Sequence, residues 1–311
     1  MASSTAPAPP EMTPYIEDVD LSGFKGMNLS LLQPSPYSRV VGDWETLVLG
    51  TPAEYQEIAL GLIPVVILLI RFGCNTYMAI RLLESRREAV FWLNLIQTIV
   101  GVIACVCAVM RGLMPWTISC HGTTYSAILD LYVGTSSIVG ILFAKAYYGT
   151  RRSRAVLCLG VMSIFLTFAV GFVANWSQAT FEYGARRCAM ALDYRWIVAK
   201  FSVDIISNVS LSGCFLYTMW MQCRNRKHHI FWMFFQDGLI YGFGVIISNV
   251  IVTTLVLTMR SLAFWHAHMY GIDYCMISTL ACWQLWQTRT RRAKKSVPKL
   301  LKIEDLNIAK K

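Results

Sequence analysis

Seven long apolar stretches run through this chain and constrain its fold more than any other feature. A helix needs about 20 mostly apolar residues to cross a bilayer. Lipid offers no partners to backbone N–H and C=O groups, so helices that satisfy their own hydrogen bonds are the expected form. The sequence therefore predicts an all-α, polytopic membrane protein with a seven-transmembrane helix bundle over residues 56–287. The predicted spans are 57–83, 89–112, 121–148, 155–175, 196–222, 229–258 and 262–287.

Composition and charge placement agree with a membrane protein and argue against a nucleic-acid partner. Hydrophobic residues make up 55% of the 311 residues, and charged residues only 15%. The net charge of +10 comes from short basic segments between the apolar stretches, not from one basic patch. We therefore expect the lipid bilayer, and no nucleic acid, as a partner.

The two ends of the chain differ from its centre. Residues 1–55 are rich in proline, serine and acidic residues. Such a segment buries too little apolar surface to fold, so we predict a largely disordered extracellular tail. Residues 288–311 are basic at first and then mix apolar and charged residues. We predict a basic cytoplasmic tail there, and a short amphipathic helix on the membrane surface is one form that it can take.

Lysine and arginine set the expected orientation, because cytoplasmic loops carry an excess of both. The inner ends of the first, third and fifth stretches, the segments that follow them and the C-terminal tail together hold 19 of them, whereas the opposite side holds seven. This predicts an outer N-terminus and a cytoplasmic C-terminus, which requires an odd number of spans. The expected location is the plasma membrane, as a multi-pass protein.

The outer side carries two further signals. Asn28 and Asn175 each begin an Asn-x-Ser sequon, which predicts glycosylation. Cys120 and Cys188 are the cysteines placed on the outer side, the compartment in which disulfides persist. We predict a bridge between them that ties the second outer loop to span three, with two free thiols as the alternative.

The inner end of span three carries a first family resemblance. It ends at residues 144–148 in the order Ala-Lys-Ala-Tyr-Tyr, and Lys145 lies 25 residues after Cys120. With an outer N-terminus, seven spans and short loops, the chain resembles G-protein-coupled receptors of the rhodopsin-like plan over roughly residues 55–290. That class has an acidic-Arg-Tyr triplet here, so the resemblance puts Lys145 in the arginine's position. Ala144 replaces the acidic residue, and span seven lacks the Asn-Pro-x-x-Tyr motif of the class.

A closer resemblance is to poorly characterised fungal seven-helix proteins. In those, span six opens with a pattern like the Gln-Asp-Gly-Leu-Ile-Tyr of residues 236–241 and continues to an asparagine such as Asn249. Span seven carries an aspartate, here Asp273, and ends in a stretch like the Gln-Leu-Trp-Gln of residues 284–287. The resemblance implies a fungal orphan receptor-like protein and does not supply a ligand.

Six charged residues deep in the predicted spans are notable, because charge is costly there and usually faces the bundle interior. Arg71 on span one and Asp273 on span seven lie at a similar depth on neighbouring helices, so we predict a pair between them. Asp237 on span six lies near the basic inner loops, where it could hold Lys145 in a resting state. The other three are Asp130, Lys200 and Asp204.

These last three charges predict the floor of an outward-facing ligand pocket. Lys200 and Asp204 are one helical turn apart on span five, where they can pair, and Asp130 lies at a similar depth on span three. Three residues near the outer end of span seven could join the pocket: His266, His268 and Tyr270. A satisfied internal network without a ligand is the alternative.

Together these features predict an orphan cell-surface receptor of G-protein-coupled type. It would sense an unknown extracellular ligand and signal through a cytoplasmic face containing Lys145, with a heterotrimeric G protein as partner. A transporter or channel that uses the same intramembrane charges is the alternative.

Enzymatic and retinal-binding functions fit the sequence less well. The chain has no HExxH motif and no multi-histidine box. We therefore predict no enzyme, no cofactor and no resident metal, while an outer zinc site of His121, His266 and His268 stays open as an alternative. By resemblance, a retinal protein would need a lysine deep in span seven, and residues 262–287 contain none.

Overall fold

The computed structural model describes residues 52–114, 117–183, 187–226, 229–258 and 266–308. The predicted N-terminal tail therefore falls almost entirely outside the described residues, and so does Asn28. Some side chains within these ranges also lie outside the description, namely those of residues 52–59, 179–183, 187–189, 191, 194, 225–226, 229–234, 237, 266 and 291–308.

Seven long helices make up most of the described chain, and six of them are long and apolar enough to cross a membrane. The chain is therefore a helical, multi-pass membrane protein, as predicted. In chain order the helices are α1 (Pro52–Ser85), α2 (Ala89–Leu113), α3 (Cys120–Gly149), α4 (Arg154–Val173), α5 (Tyr194–Arg226), α6 (His229–Thr258) and α7 (His266–Ile308).

Helix α7 differs from the other six in polarity and in length. Its first half carries Asp273 among several polar residues, and its second half is basic. It has 43 residues, which at about 1.5 Å per residue is roughly 65 Å. The backbone stays helical beyond the predicted end of the membrane span at residue 287 and ends at Ile308. Residues 272–297 contain neither glycine nor proline, so no local signal ends the helix earlier.

The helices close into a ring. Each packs against the next one along the chain, and α7 packs against both α6 and α1. Helix α3 contacts α2, α4, α5 and α7, so it lies nearest the centre of the bundle. A buried apolar cluster joins six of the helices, and its largest members include Phe72, Ile138, Leu142, Leu211, Tyr241, Val245 and Tyr274.

Large apolar side chains cover the outer surface of the bundle. On α4, Phe165 is 67% exposed and Val161 is 52% exposed. Lipid is as apolar as these side chains, so in a membrane they need no protein cover. Helix association must then come from close packing, which small residues permit. Gly160 illustrates this on the inward side of α4, where a Cβ would fall within the ring of Phe143.

Helix α3 contains one irregular turn. Ser119 caps its first turn by accepting a hydrogen bond from Gly122 N at 3.1 Å. Residues Asp130–Gly134 then form a π-helical turn between two α-helical segments. Such turns are frequent at functional sites. At Gly134 there is no room for a Cβ, because the Tyr274 hydroxyl of α7 occupies that space.

A two-stranded β-hairpin joins α4 to α5 where the sequence had indicated only a loop, while the other regular elements of the described chain are helical, as predicted. Strand β1 (Gln178–Tyr183) pairs antiparallel with β2 (Arg187–Leu192), and Cys188 stands opposite Glu182. The hairpin is anchored by apolar contacts: Met190 and Leu192 belong to a buried cluster with Trp196 of α5.

Candidate functional site

Lys145 lies near the C-terminal end of α3, the end of the bundle that the basic segments predict to be cytoplasmic. Its ammonium group donates a hydrogen bond to Gln284 Oε1 of α7 at 2.6 Å. It also lies 5.6 Å from the centre of the Tyr241 ring of α6, a distance that permits a cation–π contact. Lys145 thus contacts two neighbouring helices through neutral groups.

A cavity of about 730 Å³ opens beside Lys145. It lies among the ends of α1, α2, α3, α5 and α7 that share this side of the bundle. Most of its walls are apolar: Leu82, Val90, Phe91, Ala144, Phe215, Met219 and Leu285. Its polar and charged lining residues include Ser85, Arg86, Glu88, Lys145, Gln222, Gln284, Thr288 and Arg289.

The cations of this cavity are not all neutralised. Arg86 forms an exposed ion pair with Glu88 at 3.4 Å. Arg289 donates to the backbone oxygen of Arg81 at 2.7 Å and lies 5.4 Å from the Trp286 ring centre. Among the described side chains, neither Lys145 nor Arg289 has a carboxylate within ion-pair distance. The cavity lining therefore carries two positive charges with no carboxylate partner.

Sequence reasoning missed the partner that Lys145 has. Asp237 had been proposed as a latch for Lys145, but its side chain lies outside the described part, so that latch stays a prediction. In the sequence, Gln284 was noted only as part of the Gln-Leu-Trp-Gln stretch that resembles fungal seven-helix proteins. Its role could have been found from depth alone, since Lys145 and Gln284 both lie in the last turns of their membrane spans.

A second polar group lies in the half of the bundle nearer the hairpin. Lys200 and Asp204 form a buried i,i+4 ion pair on α5. Asp273 of α7 is 8% exposed and accepts a hydrogen bond from the Ser248 hydroxyl of α6. Asp273 also lies within electrostatic range of both Lys200 and Asp204. These residues form a buried charged layer that links α5, α6 and α7.

The predicted pair between Arg71 and Asp273 is not formed. The Arg71 side chain is exposed on the outside of α1, whereas Asp273 is buried and bonded to Ser248. The inner face of α1 is carried by Leu68, Phe72 and Asn75. Arg71 lies next to Phe72 in sequence and so points about 100° away from it around the helix, which places it on another face.

The structure brings part of the predicted ligand pocket together, since Tyr270 lies within electrostatic range of Asp204 and Asp273, whereas Asp130 and His268 face other partners. Asp130 lies in the π-helical turn, next to the Tyr274 hydroxyl of α7. His268 hydrogen-bonds to the backbone of Gly61 on α1. Tyr270 packs edge-on against Trp196 at 6.1 Å. The side chain of His266 lies outside the description.

The charged layer is covered on the hairpin side. Trp196, Val252, Val256 and Tyr270 pack with Met190 of the hairpin in one apolar cluster. On each helix these residues lie closer to the hairpin than Lys200, Ser248 and Asp273 do. A ligand that enters from this side would therefore have to displace apolar contacts.

A buried hydrogen-bonded network connects α1, α2 and α7 in the middle of the bundle. Tyr274 Oη donates to the backbone oxygen of Gln97 at 2.6 Å, and Gln97 Nε2 donates to Asn94 Oδ1 at 3.2 Å. Cys282 Sγ lies 3.3 Å from the same Asn94 oxygen. Asn75 Nδ2 donates to Ser278 Oγ at 3.2 Å and to Thr279 Oγ1 at 3.1 Å.

The remaining predicted positions lie on the hairpin side of the bundle. Cys120 is buried at the start of α3, and the side chain of Cys188 lies outside the description, so their bridge stays a prediction. Eight other cysteines carry free thiols. Asn175 lies in the turn after α4, and its glycosylation is likewise untested. Among the described residues, no group of three or more His, Cys, Asp or Glu could hold a metal ion.

No family model matches this chain, and no curated protein matches it. The class that the structure itself defines is that of helical multi-pass membrane proteins. What can be said about function rests on the geometry of the two polar sites.

Proposed function

We propose that this protein is a plasma-membrane receptor of the G-protein-coupled type. It has seven spans, an outer N-terminus and a cytoplasmic face that contains Lys145. It responds to an unknown extracellular ligand and acts on a heterotrimeric G protein. Glycosylation at Asn28 and Asn175 and a bridge between Cys120 and Cys188 belong to the same proposal.

One observation carries this proposal: a cavity opens among five helix ends at the basic end of a closed seven-helix ring, and Lys145 of the central helix lines it. A conformational change that shifts α3 against α7 would alter the Lys145–Gln284 contact and the shape of the cavity together. The ring thus offers a route from the covered charged layer to the inner face, since α7 carries both Asp273 and Gln284.

The test is nucleotide exchange on purified Gα subunits by the full chain in lipid nanodiscs. Fungal Gα subunits are used because of the resemblance to fungal proteins. We expect exchange above the receptor-free rate, lowered at least tenfold by Lys145→Gln. Arg154→Gln, which removes an exposed cation on the same side, is the matched control and should leave exchange unchanged. Exchange that is insensitive to Lys145→Gln would contradict the role given to Lys145.

The buried network supports a second candidate, a transporter or channel for ions or small molecules. Polar groups follow one another from Asp130 through Tyr274, Gln97 and Cys282 to the region of Lys145. Asp130 and Lys145 are 15 residues apart on α3, about 22 Å of a hydrocarbon core about 30 Å thick. Flux of ions into proteoliposomes that is lost in Asp130→Asn would favour this candidate over the receptor.

A further inference from the structure

The inner cavity has a charge that the described side chains around it do not neutralise. Lys145 bonds to a neutral amide and lies over a neutral ring, and Arg289 bonds to a backbone oxygen. Charged groups in a membrane interior are expensive and normally pair with opposite charge. Since Glu88 already pairs with Arg86, the formal charges of Lys145 and Arg289 remain, and the described part of the lining carries a formal net charge of +2.

The positive charge of the cavity indicates how much negative charge a matching ligand carries. A carboxylate carries one negative charge and would leave one cation of the cavity without a counter-charge. A phosphate monoester carries about −1.5 to −2 at pH 7, which matches the two free cations. The side chains also suit phosphate, since an arginine fork binds it through two parallel N–H donors and a lysine binds it as a point charge.

The size and the walls of the cavity identify the rest of the ligand. A volume of about 730 Å³ is far larger than a phosphate ion requires, and most of the lining is aliphatic or aromatic. The cavity lies at the basic end of the helix bundle, which the proposed orientation turns toward the cytoplasmic leaflet. Basic pockets between transmembrane helices on the cytoplasmic side are suited to anionic headgroups.

We propose that the cavity binds the headgroup of an inner-leaflet phospholipid that carries a phosphate monoester. Lys145 and Arg289 contact the phosphate, and Leu82, Phe91 and Phe215 contact the start of the acyl chains. The inference rests on the proposed orientation of the chain but goes beyond the proposed receptor function, because lipid binding at this cavity requires no G protein. Occupied by lipid, the same cavity would be closed to any cytoplasmic partner.

The experiment measures binding of fluorescent phosphatidic acid to the full chain in phosphatidylcholine nanodiscs, without any G protein. We expect saturable binding that Lys145→Gln and Arg289→Gln each weaken at least tenfold. Arg154→Gln should bind as the unmodified chain does. Phosphatidylglycerol, whose headgroup is a phosphate diester of charge −1, should bind at least tenfold more weakly than phosphatidic acid.

Three results would overturn the proposal. Equal binding of phosphatidic acid and phosphatidylglycerol would show that the cavity attracts negative charge in general and does not select a phosphate monoester. Equal loss in Arg154→Gln would show general attraction to the basic face. Full displacement by millimolar inorganic phosphate would show that a free anion, not a lipid, occupies the cavity. Melting temperatures of all variants are measured in parallel. If Lys145→Gln or Arg289→Gln unfolds, the other variant still tests the proposal.

Discussion

Lys145 and Gln284 join the central helix α3 to α7 through a hydrogen bond of 2.6 Å, at the end of the bundle where the basic segments lie. The contact is formed by an ammonium group and a neutral amide, although an ammonium group in a low-dielectric site is better served by a carboxylate. The pairing therefore holds Lys145 in place and leaves its charge available to a ligand in the cavity.

Gln284→Leu should destabilise the protein by about 1–3 kcal/mol, because it leaves the buried end of Lys145 without its acceptor. The measurement is thermal unfolding of the purified protein in detergent. Gln236→Leu is the matched control, since Gln236 is exposed on α6 and should change stability little. An unchanged melting temperature for Gln284→Leu would mean that Lys145 finds another acceptor or that the contact contributes nothing.

Gly160→Ala should destabilise the contact between α3 and α4. A Cβ at this position would overlap the ring of Phe143, so the helices would have to separate or the ring would have to move. Overpacking of this kind costs about 1–3 kcal/mol. At Gly213 of α5, by contrast, nothing lies within 4 Å of a Cβ, and Gly213→Ala should be neutral or stabilising by up to about 1 kcal/mol. Opposite signs for the two variants in thermal unfolding check the helix packing, and a loss of similar size in both would contradict it.

The positions of the helices could be predicted from the sequence because span length and apolar composition are local properties. The predicted span 89–112 and the observed helix Ala89–Leu113 differ by one residue. The β-hairpin could not be predicted in this way. Its strands are short, and Met190 and Leu192 are buried in a cluster to which distant parts of the chain contribute, among them Trp196 of α5 and Val252 of α6.

Which helix face points inward was harder to predict than where each helix lies. In a soluble protein the polar face points outward, but in a membrane both faces of α1 are apolar and hydrophobicity does not distinguish them. Arg71 was therefore assigned to the interior although it is exposed. Spacing along one helix was a better guide. Lys200 and Asp204 are four residues apart on α5, so their side chains meet whichever way the helix faces.

A bridge between Cys120 and Cys188 predicts a characteristic pattern of mutant stabilities. Eight of the ten cysteines are free thiols, which leaves these two for a bridge. Cys120→Ser, Cys188→Ser and the double variant should lose the same stability, about 2–4 kcal/mol, because each removes the same bond. Cys158→Ser, at an exposed free thiol, is the control. Additive losses from the two single variants, or detection of both as free thiols by mass spectrometry, would rule out the bridge.

The buried ion pair of α5 gives the sharpest test of the charged layer. Lys200→Met leaves Asp204 close to a second carboxylate, Asp273, with no cation between them in the described layer. Removal of one partner from a buried pair typically costs about 3–5 kcal/mol, whereas removal of both costs much less.

The double variant Lys200→Met with Asp204→Leu should therefore be more stable than Lys200→Met alone, and a double-mutant cycle in thermal or denaturant unfolding measures the coupling. Ser202→Ala, on an exposed part of the same helix, should be neutral. If the double variant were less stable than the single one by the full cost of Asp204→Leu, the two residues would act independently. The charged layer would then be held by Ser248 and Asp273 and not by the pair on α5.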